Sequence, residues 1–148
     1  RMSANARRSL KAIETLARAK DFKLAELKRT ANAAADRLKR TVDAIRFLEA
    51  ALISEAPEEG ADLSMQMAYT RYAQGSRNRR DALGSMIPAL AHDVAEADAA
   101  VLEGFRSLKQ LEEAAKTHRE AIAAEFDRKE RAEIDDMASV RAIRRQRA

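Results

Sequence analysis

The chain has 148 residues and a formal net charge of +4, and 35% of its residues are charged while only 4% are aromatic. So little bulky apolar volume excludes a thick globular core, and the abundance of Ala, Glu, Lys, Leu and Arg is typical of coiled coils. The absence of cysteine excludes disulfides and thiolate metal sites. Without a run of about 18 apolar residues or the apolar segment of a secretory signal, we expect a cytoplasmic protein.

The first predicted element is a helix over about residues 4–56, a range that contains no Pro or Gly. Steps of four and three residues alternate along it and reach apolar side chains at twelve of fourteen positions. This is the 3.5-residue period that keeps one seam of a helix facing a partner helix. The seam positions are Ala6, Leu10, Ile13, Ala17, Lys20, Leu24, Leu27, Ala31, Ala34, Leu38, Thr41, Ile45, Leu48 and Leu52.

A turn is predicted at about residues 57–62. Pro57 disfavours helix in the residue before it, and Gly60 favours a turn. Asp62 or Ser64 can cap the helix that follows. Because the connection is short, the second helix should return antiparallel to the first.

The second helix is predicted over about residues 63–146. Its seam continues the alternation of four and three up to residue 122, where the phase shifts. A kink is expected near Gly84–Pro88, because the Pro88 ring clashes with the carbonyl of residue 84; a tolerated bend on a solvated face explains the same residues. The seam positions are Leu83, Ile87, Leu90, Val94, Ala97, Val101, Gly104, Leu108, Leu111, Ala115, His118 and Ile122.

The distribution of charged residues supports an antiparallel pairing of the two predicted helices. Counted from the turn, residue i faces roughly residue 119 − i. The segment 81–105, with five acids and no base, then faces the segment 14–38, where bases outnumber acids. Residues beyond about 115 should project as an overhang. The predicted fold is all-α: a single domain over residues 1–148, built as a long two-helix antiparallel coiled-coil hairpin with a C-terminal helical overhang.

The sequence contains no recognisable catalytic motif. We therefore predict no catalytic, cofactor-binding or metal-binding residues. The four glycines are scattered, so they form no phosphate-binding loop. His92 and His118 lie far apart on one helix, and His118 falls on the seam, where a hydrogen-bonded histidine is the commoner role.

Three stretches are candidates for contacts with other proteins. Tyr69 and Tyr72 lie close to four arginines between residues 71 and 80, and Tyr and Arg commonly anchor interfaces, but the tyrosines could equally cover the thin core near the turn. The basic N-terminal residues could bind a partner, but solvated charges on a helix surface are the commoner explanation for such a group: Arg7, Arg8, Lys11 and Arg18. Asp135 and Asp136 either mark a break, with Asp136 capping a short terminal helix, or belong to a partner-facing patch.

These residues resemble those of a known family. The two-helix plan, the pair Tyr69 and Tyr72 soon after the turn, the run VLEGFRSLKQLEEAAKTHREAI (101–122) and the closing segment KERAEIDDMASVR (129–141) are similar to the FliJ proteins of flagellar type III export and to their YscO-type counterparts in injectisomes. The resemblance implies a non-enzymatic stalk that inserts the end bearing both termini into a hexameric export ATPase. It also implies contacts with the inner-membrane export gate protein and with export chaperones, so that the chain is peripheral to the membrane only through its partners.

The resemblance also implies contact residues. The export-gate contact falls on Tyr69, Tyr72, Ser76, Arg79 and Leu83, although Ser76 and Arg79 depart from the family's pattern of an aromatic followed by apolar or small residues. The ATPase contact falls on Arg7, Arg8, Lys11, Arg128, Arg131, Glu133, Asp136 and Arg141.

Two other classes of function fit parts of the sequence. A structural coiled-coil spacer could dimerise through the overhang as a four-helix bundle, whereas a stalk for a ring should be a monomer at micromolar concentration. A basic coiled coil could bind nucleic acid, but the basic segments alternate with acidic ones, so no nucleic-acid partner is expected.

Overall fold

The computed structural model describes residues 2–148 and the side chains of residues 4–148. It consists of two long helices packed against each other, α1 (Met2–Ser54) and α2 (Leu63–Arg147), and these described residues form no strand. The sequence predicted helices over about 4–56 and 63–146. The two helices follow from the long seams of apolar residues at helical spacing, and between residues 2 and 147 the chain leaves the helical conformation only at the connection that contains Pro57 and Gly60.

The connection ends one helix and starts the next through identifiable groups. Gly60 has a positive φ of 86°, which a residue without a Cβ adopts readily. The Asp62 carboxylate accepts a hydrogen bond from the Met65 amide at 2.8 Å, so Asp62 is the N-cap of α2 and Ser64 is not. The Gln66 side chain donates to the Ala61 carbonyl at 3.0 Å, which further fixes the start of α2.

The chain divides into two compact units, each containing part of both helices. The unit formed by Ala25–Glu103 has a core of small side chains. Ala31 and Ala34 on α1 are buried, and so are Ala73 and Ser76 on α2. Small residues at these positions allow helix backbones to approach closely, which a seam of leucines would not.

The other unit, Arg1–Leu24 with Gly104–Ala148, has its core at Leu24, Leu108 and Ala115. At its surface, Arg119 donates a hydrogen bond to the Glu14 carboxylate at 3.0 Å. The expected register paired Glu14 with about residue 105, so this prediction was wrong. Long side chains lean toward the N-terminus of their own helix, which accounts for part of the offset.

The corrected register shortens the projecting segment. Ala115 is buried, and His118, Ile122 and Glu125 are half-buried, whereas every residue from Phe126 onward is exposed. The overhang therefore begins after Glu125 and not at about residue 115.

α2 remains helical through Gly84 and Pro88 and past Asp135 and Asp136 to Arg147. The hypothesis that the two aspartates mark a break was therefore wrong. The Ser139 hydroxyl donates to the Asp135 carbonyl at 3.0 Å, which is a contact of one continuous helical turn. Within residues 2–148, neither helix has a stretch long and apolar enough to cross a membrane.

Candidate partner-binding surfaces

The first candidate surface lies on α2 close to the turn, at the residues to which the family resemblance assigns the export-gate contact. The five residues assigned to that contact differ in their exposure to solvent. Tyr72 (41% exposed) and Arg79 are exposed, whereas Tyr69 and Leu83 are half-buried and Ser76 is only 8% exposed. Ser76 is thus a core residue and not a surface one.

The division follows from helical geometry. The seam of α2 begins well before Leu83, at Tyr69, and proceeds in steps of four and three through Ala73, Ser76 and Arg80. Tyr72 and Arg79 are seven residues apart and share an adjacent stripe, because seven residues complete nearly two turns.

The same stripe contains two methionines that sequence reasoning did not identify. Met65 and Met86 lie seven residues before Tyr72 and seven after Arg79, and both are exposed. Met65 also lines a surface cavity of about 300 Å³ together with Tyr69, Tyr72 and Pro57. A search for apolar residues at a spacing of seven outside the main seam would have found this stripe. We call Met65, Tyr72, Arg79 and Met86 the gate stripe.

Tyr69 has a structural role in this region. Its hydroxyl donates a hydrogen bond to the Leu52 carbonyl at 2.6 Å, and its ring lies 6.2 Å from the Tyr72 ring, tilted by 45°. Tyr69 therefore joins α2 to α1, while Tyr72 packs against it and presents its outer face to solvent. Tyr69 thus covers the core near the turn, as one interpretation of the pair proposed, while the role of Tyr72 as an interface anchor stays a prediction.

The second candidate surface is basic and lies on α1. Arg7, Arg8 and Lys11 are all exposed, and Leu16, also exposed, lies beside Arg8 and Lys11 along the same helix surface. In the part of the chain whose side chains are described, none of these three bases forms an ion pair. Their charge is therefore available to an external acidic group.

The third candidate surface is the C-terminal part of α2. All five residues assigned there to the ATPase contact are exposed: Arg128, Arg131, Glu133, Asp136 and Arg141. Five large apolar side chains on the same segment are exposed as well: Phe126, Ile134, Met137, Val140 and Ile143. We call residues 126–147 the terminal helix. It combines mixed charge with apolar groups that nothing in the described chain covers.

The two histidines each contact a neighbouring group on α2. His118 is half-buried and its Nδ1 lies 2.9 Å from the Ala114 carbonyl, while the exposed His92 lies 3.2 Å from the Glu96 carboxylate. The side chains of residues 4–148 contain no cluster of three or more acidic, His or Cys groups that could hold a metal ion.

Comparisons with protein-family models, with curated proteins and with solved structures find no match to this chain.

Proposed function

We propose that this chain is a non-enzymatic stalk of a type III protein export apparatus, flagellar or of the injectisome kind, working in the cytoplasm at the inner membrane. The proposal joins the resemblance to the FliJ and YscO-type proteins to one observation in the structure. That observation is the terminal helix, which continues α2 as an exposed helix with five uncovered apolar side chains. A helix of this composition is suited to insertion into a lined pore, where those side chains would lose their contact with water.

The antiparallel coiled-coil hairpin is part of this proposal. Contacts in each unit support it: Tyr69 bonds to Leu52 in one, and Arg119 bonds to Glu14 in the other. The predicted seam positions of both helices are buried or half-buried, with the exception of the exposed Lys20. Within the unit that contains the terminal helix, this packing would support the start of that helix.

The charges of the terminal helix favour a reversible contact. Arg128 and Arg131 precede Glu133 and Asp136, Arg141 follows them, and all five are exposed. Exposed ion pairs contribute about 0–1 kcal/mol each and orient the partners more than they bind them tightly. A stalk that must enter and leave a ring, acting as a monomer, needs contacts of this kind.

The gate stripe is the second contact in the proposal. Tyr72 and Arg79 present an aromatic face and a guanidinium, which are common anchors of protein interfaces, and Met65 and Met86 extend the apolar area. Ser76 is omitted because it is buried, and Tyr69 and Leu83 would act by supporting the stripe. Export chaperones are proposed partners on the strength of the resemblance alone.

The central test mixes the chain with a purified hexameric export ATPase and follows hexamer assembly by sedimentation and ATP hydrolysis by phosphate release. We expect both to increase. The variant Arg131→Glu/Arg141→Glu should lose most of this stimulation. A matched control is Arg37→Glu/Arg40→Glu, which makes the same change of charge at exposed positions of the other unit. Unchanged assembly and hydrolysis with the folded natural chain would refute the proposal.

The gate contact has its own test, a binding measurement with the cytoplasmic part of the export gate protein. Tyr72→Ala and Arg79→Ala should each weaken binding. Arg77→Ala is the control, since Arg77 is exposed but lies on a different side of α2. Equal losses from all three variants would show that the effect is one of general charge or folding.

A further inference from the structure

The terminal helix carries a face with an unusual order of charges. Six of its residues follow each other in steps of three, four, three, four and three, so they share one side of the helix. In chain order they are two acids, two apolar residues and two bases: Glu130, Glu133, Met137, Val140, Arg144 and Arg147. We call these six residues the terminal face.

The terminal face has no partner in its own chain. Met137 is 61% exposed and Val140 is 49% exposed, and the four charged residues are exposed as well. Among the side chains of residues 4–148, none of these four charges forms an ion pair. Ile134 and Ile143 lie on either side of the face and are also exposed.

The order of charges makes this face complementary to itself when one copy is reversed. If two terminal helices run antiparallel about a two-fold axis between residues 138 and 139, Met137 lies opposite Val140 of the second copy. Glu133 then lies opposite its Arg144, and Glu130 opposite its Arg147. A two-fold axis repeats each contact, so the pairing has four ion pairs around an apolar centre. A parallel pairing would instead place every charge opposite its own like, which is unfavourable.

We propose that the terminal face binds a second copy of this chain, forming an isologous antiparallel dimer through residues 130–147. Charge complementarity favours a second copy of the chain over other partners for the terminal face. A polyanion such as nucleic acid would be repelled by Glu130 and Glu133, and a uniformly basic partner would be repelled by Arg144 and Arg147. Only a surface with the reversed order of charges satisfies the whole face.

The dimer is weak and depends on salt. Two short helical segments bury far less than the roughly 1,600 Å² of a standard stable interface, and the ion pairs at its ends are accessible to water. The chain is therefore monomeric at low micromolar concentration, as the proposed stalk requires, and associates as its concentration rises. This inference does not rest on the proposed function, because it concerns the chain alone.

Sedimentation equilibrium of the full chain, from about 10 µM to about 500 µM, measures the association. We expect a monomer–dimer equilibrium that weakens as salt rises from about 0.05 M to about 0.5 M. Glu130→Arg/Glu133→Arg makes both ends of the face basic, and Arg144→Glu/Arg147→Glu makes both ends acidic. Each variant alone should dissociate at least about tenfold more readily than the natural chain, and a mixture of the two should associate again.

Asp127→Arg/Asp135→Arg is the matched control, because it reverses two acids of the same helix that lie away from the terminal face. It should dimerise like the natural chain. Equal weakening by this control, or no recovery in the mixture, would overturn the proposal. So would natural chains that stay monomeric throughout the concentration range, or that form species larger than a dimer. Circular dichroism of each variant confirms that α-helix content is retained.

Disulfide trapping tests the orientation, since the natural chain has no cysteine. In an antiparallel pair, a mixture of Glu133→Cys and Arg144→Cys chains should form disulfides between the two variants. A disulfide needs Cα atoms within about 7 Å, so neither variant should cross-link to itself, because the identical positions lie about 16 Å apart along the axis. Self-cross-linking of each variant in place of the mixed disulfide would show a parallel pair and overturn the proposal.

Discussion

The hydroxyl of Tyr69 donates a hydrogen bond to the backbone carbonyl of Leu52 at 2.6 Å, joining the first turns of α2 to the last turn of α1. The last four carbonyls of a helix have no amide donor within that helix. The amide of Ala56, which would serve Leu52 if α1 continued, bonds to the Ile53 carbonyl instead at 3.4 Å. Tyr69 therefore satisfies a carbonyl that the end of α1 leaves without a partner.

Replacing Tyr69 with Phe should lower the free energy of unfolding by about 1 kcal/mol, because the ring is kept while the Leu52 carbonyl loses its donor. Thermal unfolding followed by circular dichroism measures the change. Tyr72→Phe is the control: Tyr72 is exposed, and its hydroxyl has no hydrogen bond with the described residues, so its removal should leave the melting temperature nearly unchanged. Similar effects of both substitutions would show that the Tyr69 hydrogen bond does not stabilise the fold.

Asp62→Ala should also lower the free energy of unfolding by about 1 kcal/mol, since the Met65 amide at the start of α2 would lose its capping carboxylate. Ser64→Ala removes the other candidate cap and should have little effect, because Ser64 lies inside α2. Urea unfolding of the two variants compares them directly. A larger loss from Ser64→Ala would mean that the helix starts at a different residue in solution.

The two helices could be predicted from the sequence because their signals are local. Steps of three and four residues place the seam on one side of each helix, and Pro57, Gly60 and Asp62 act on their immediate neighbours. Exposure of the terminal helix was also predictable, since its apolar residues leave the seam phase at Phe126.

The pairing of distant residues could not be predicted in the same way. Glu14 contacts Arg119 and not residue 105. This contact joins residues far apart in the chain, so no local signal in the sequence identifies it. The burial of Ser76 was missed for a related reason. A serine gives no apolar signal, so the seam of α2 seemed to begin at Leu83, although Tyr69, Ala73 and Arg80 continue its spacing toward the turn.

The alanine core of the Ala25–Glu103 unit makes a prediction about overpacking. Ala34 is 2% exposed, so Ala34→Leu must push the helices apart and should cost about 1–3 kcal/mol in the free energy of unfolding. Ala33→Leu is the matched control at the neighbouring exposed position, where the added atoms meet solvent. Thermal unfolding distinguishes the two. Equal melting temperatures would indicate that this part of the core has room for a larger side chain.

Pro88 is a residue that destabilises the helix in which it lies. It lies inside α2, has no amide hydrogen, and leaves the Gly84 carbonyl without the donor that other residues would supply. Pro88→Ala restores that donor, and we expect the free energy of unfolding to rise by as much as about 3 kcal/mol, measured by urea unfolding.

Gly75→Ala is the reference variant against which the stability gain of Pro88→Ala is compared. A Cβ at Gly75 would meet nothing within 4 Å, so this substitution should contribute only the intrinsic helix preference of Ala over Gly, about 1 kcal/mol. A gain from Pro88→Ala clearly above that of Gly75→Ala would show that the proline strains the helix. A gain no larger would mean that α2 already bends to relieve the clash. In that case, limited proteolysis should cut the natural chain near Pro88 faster than the Pro88→Ala variant, because a bent helix opens more readily at its unpaired carbonyl.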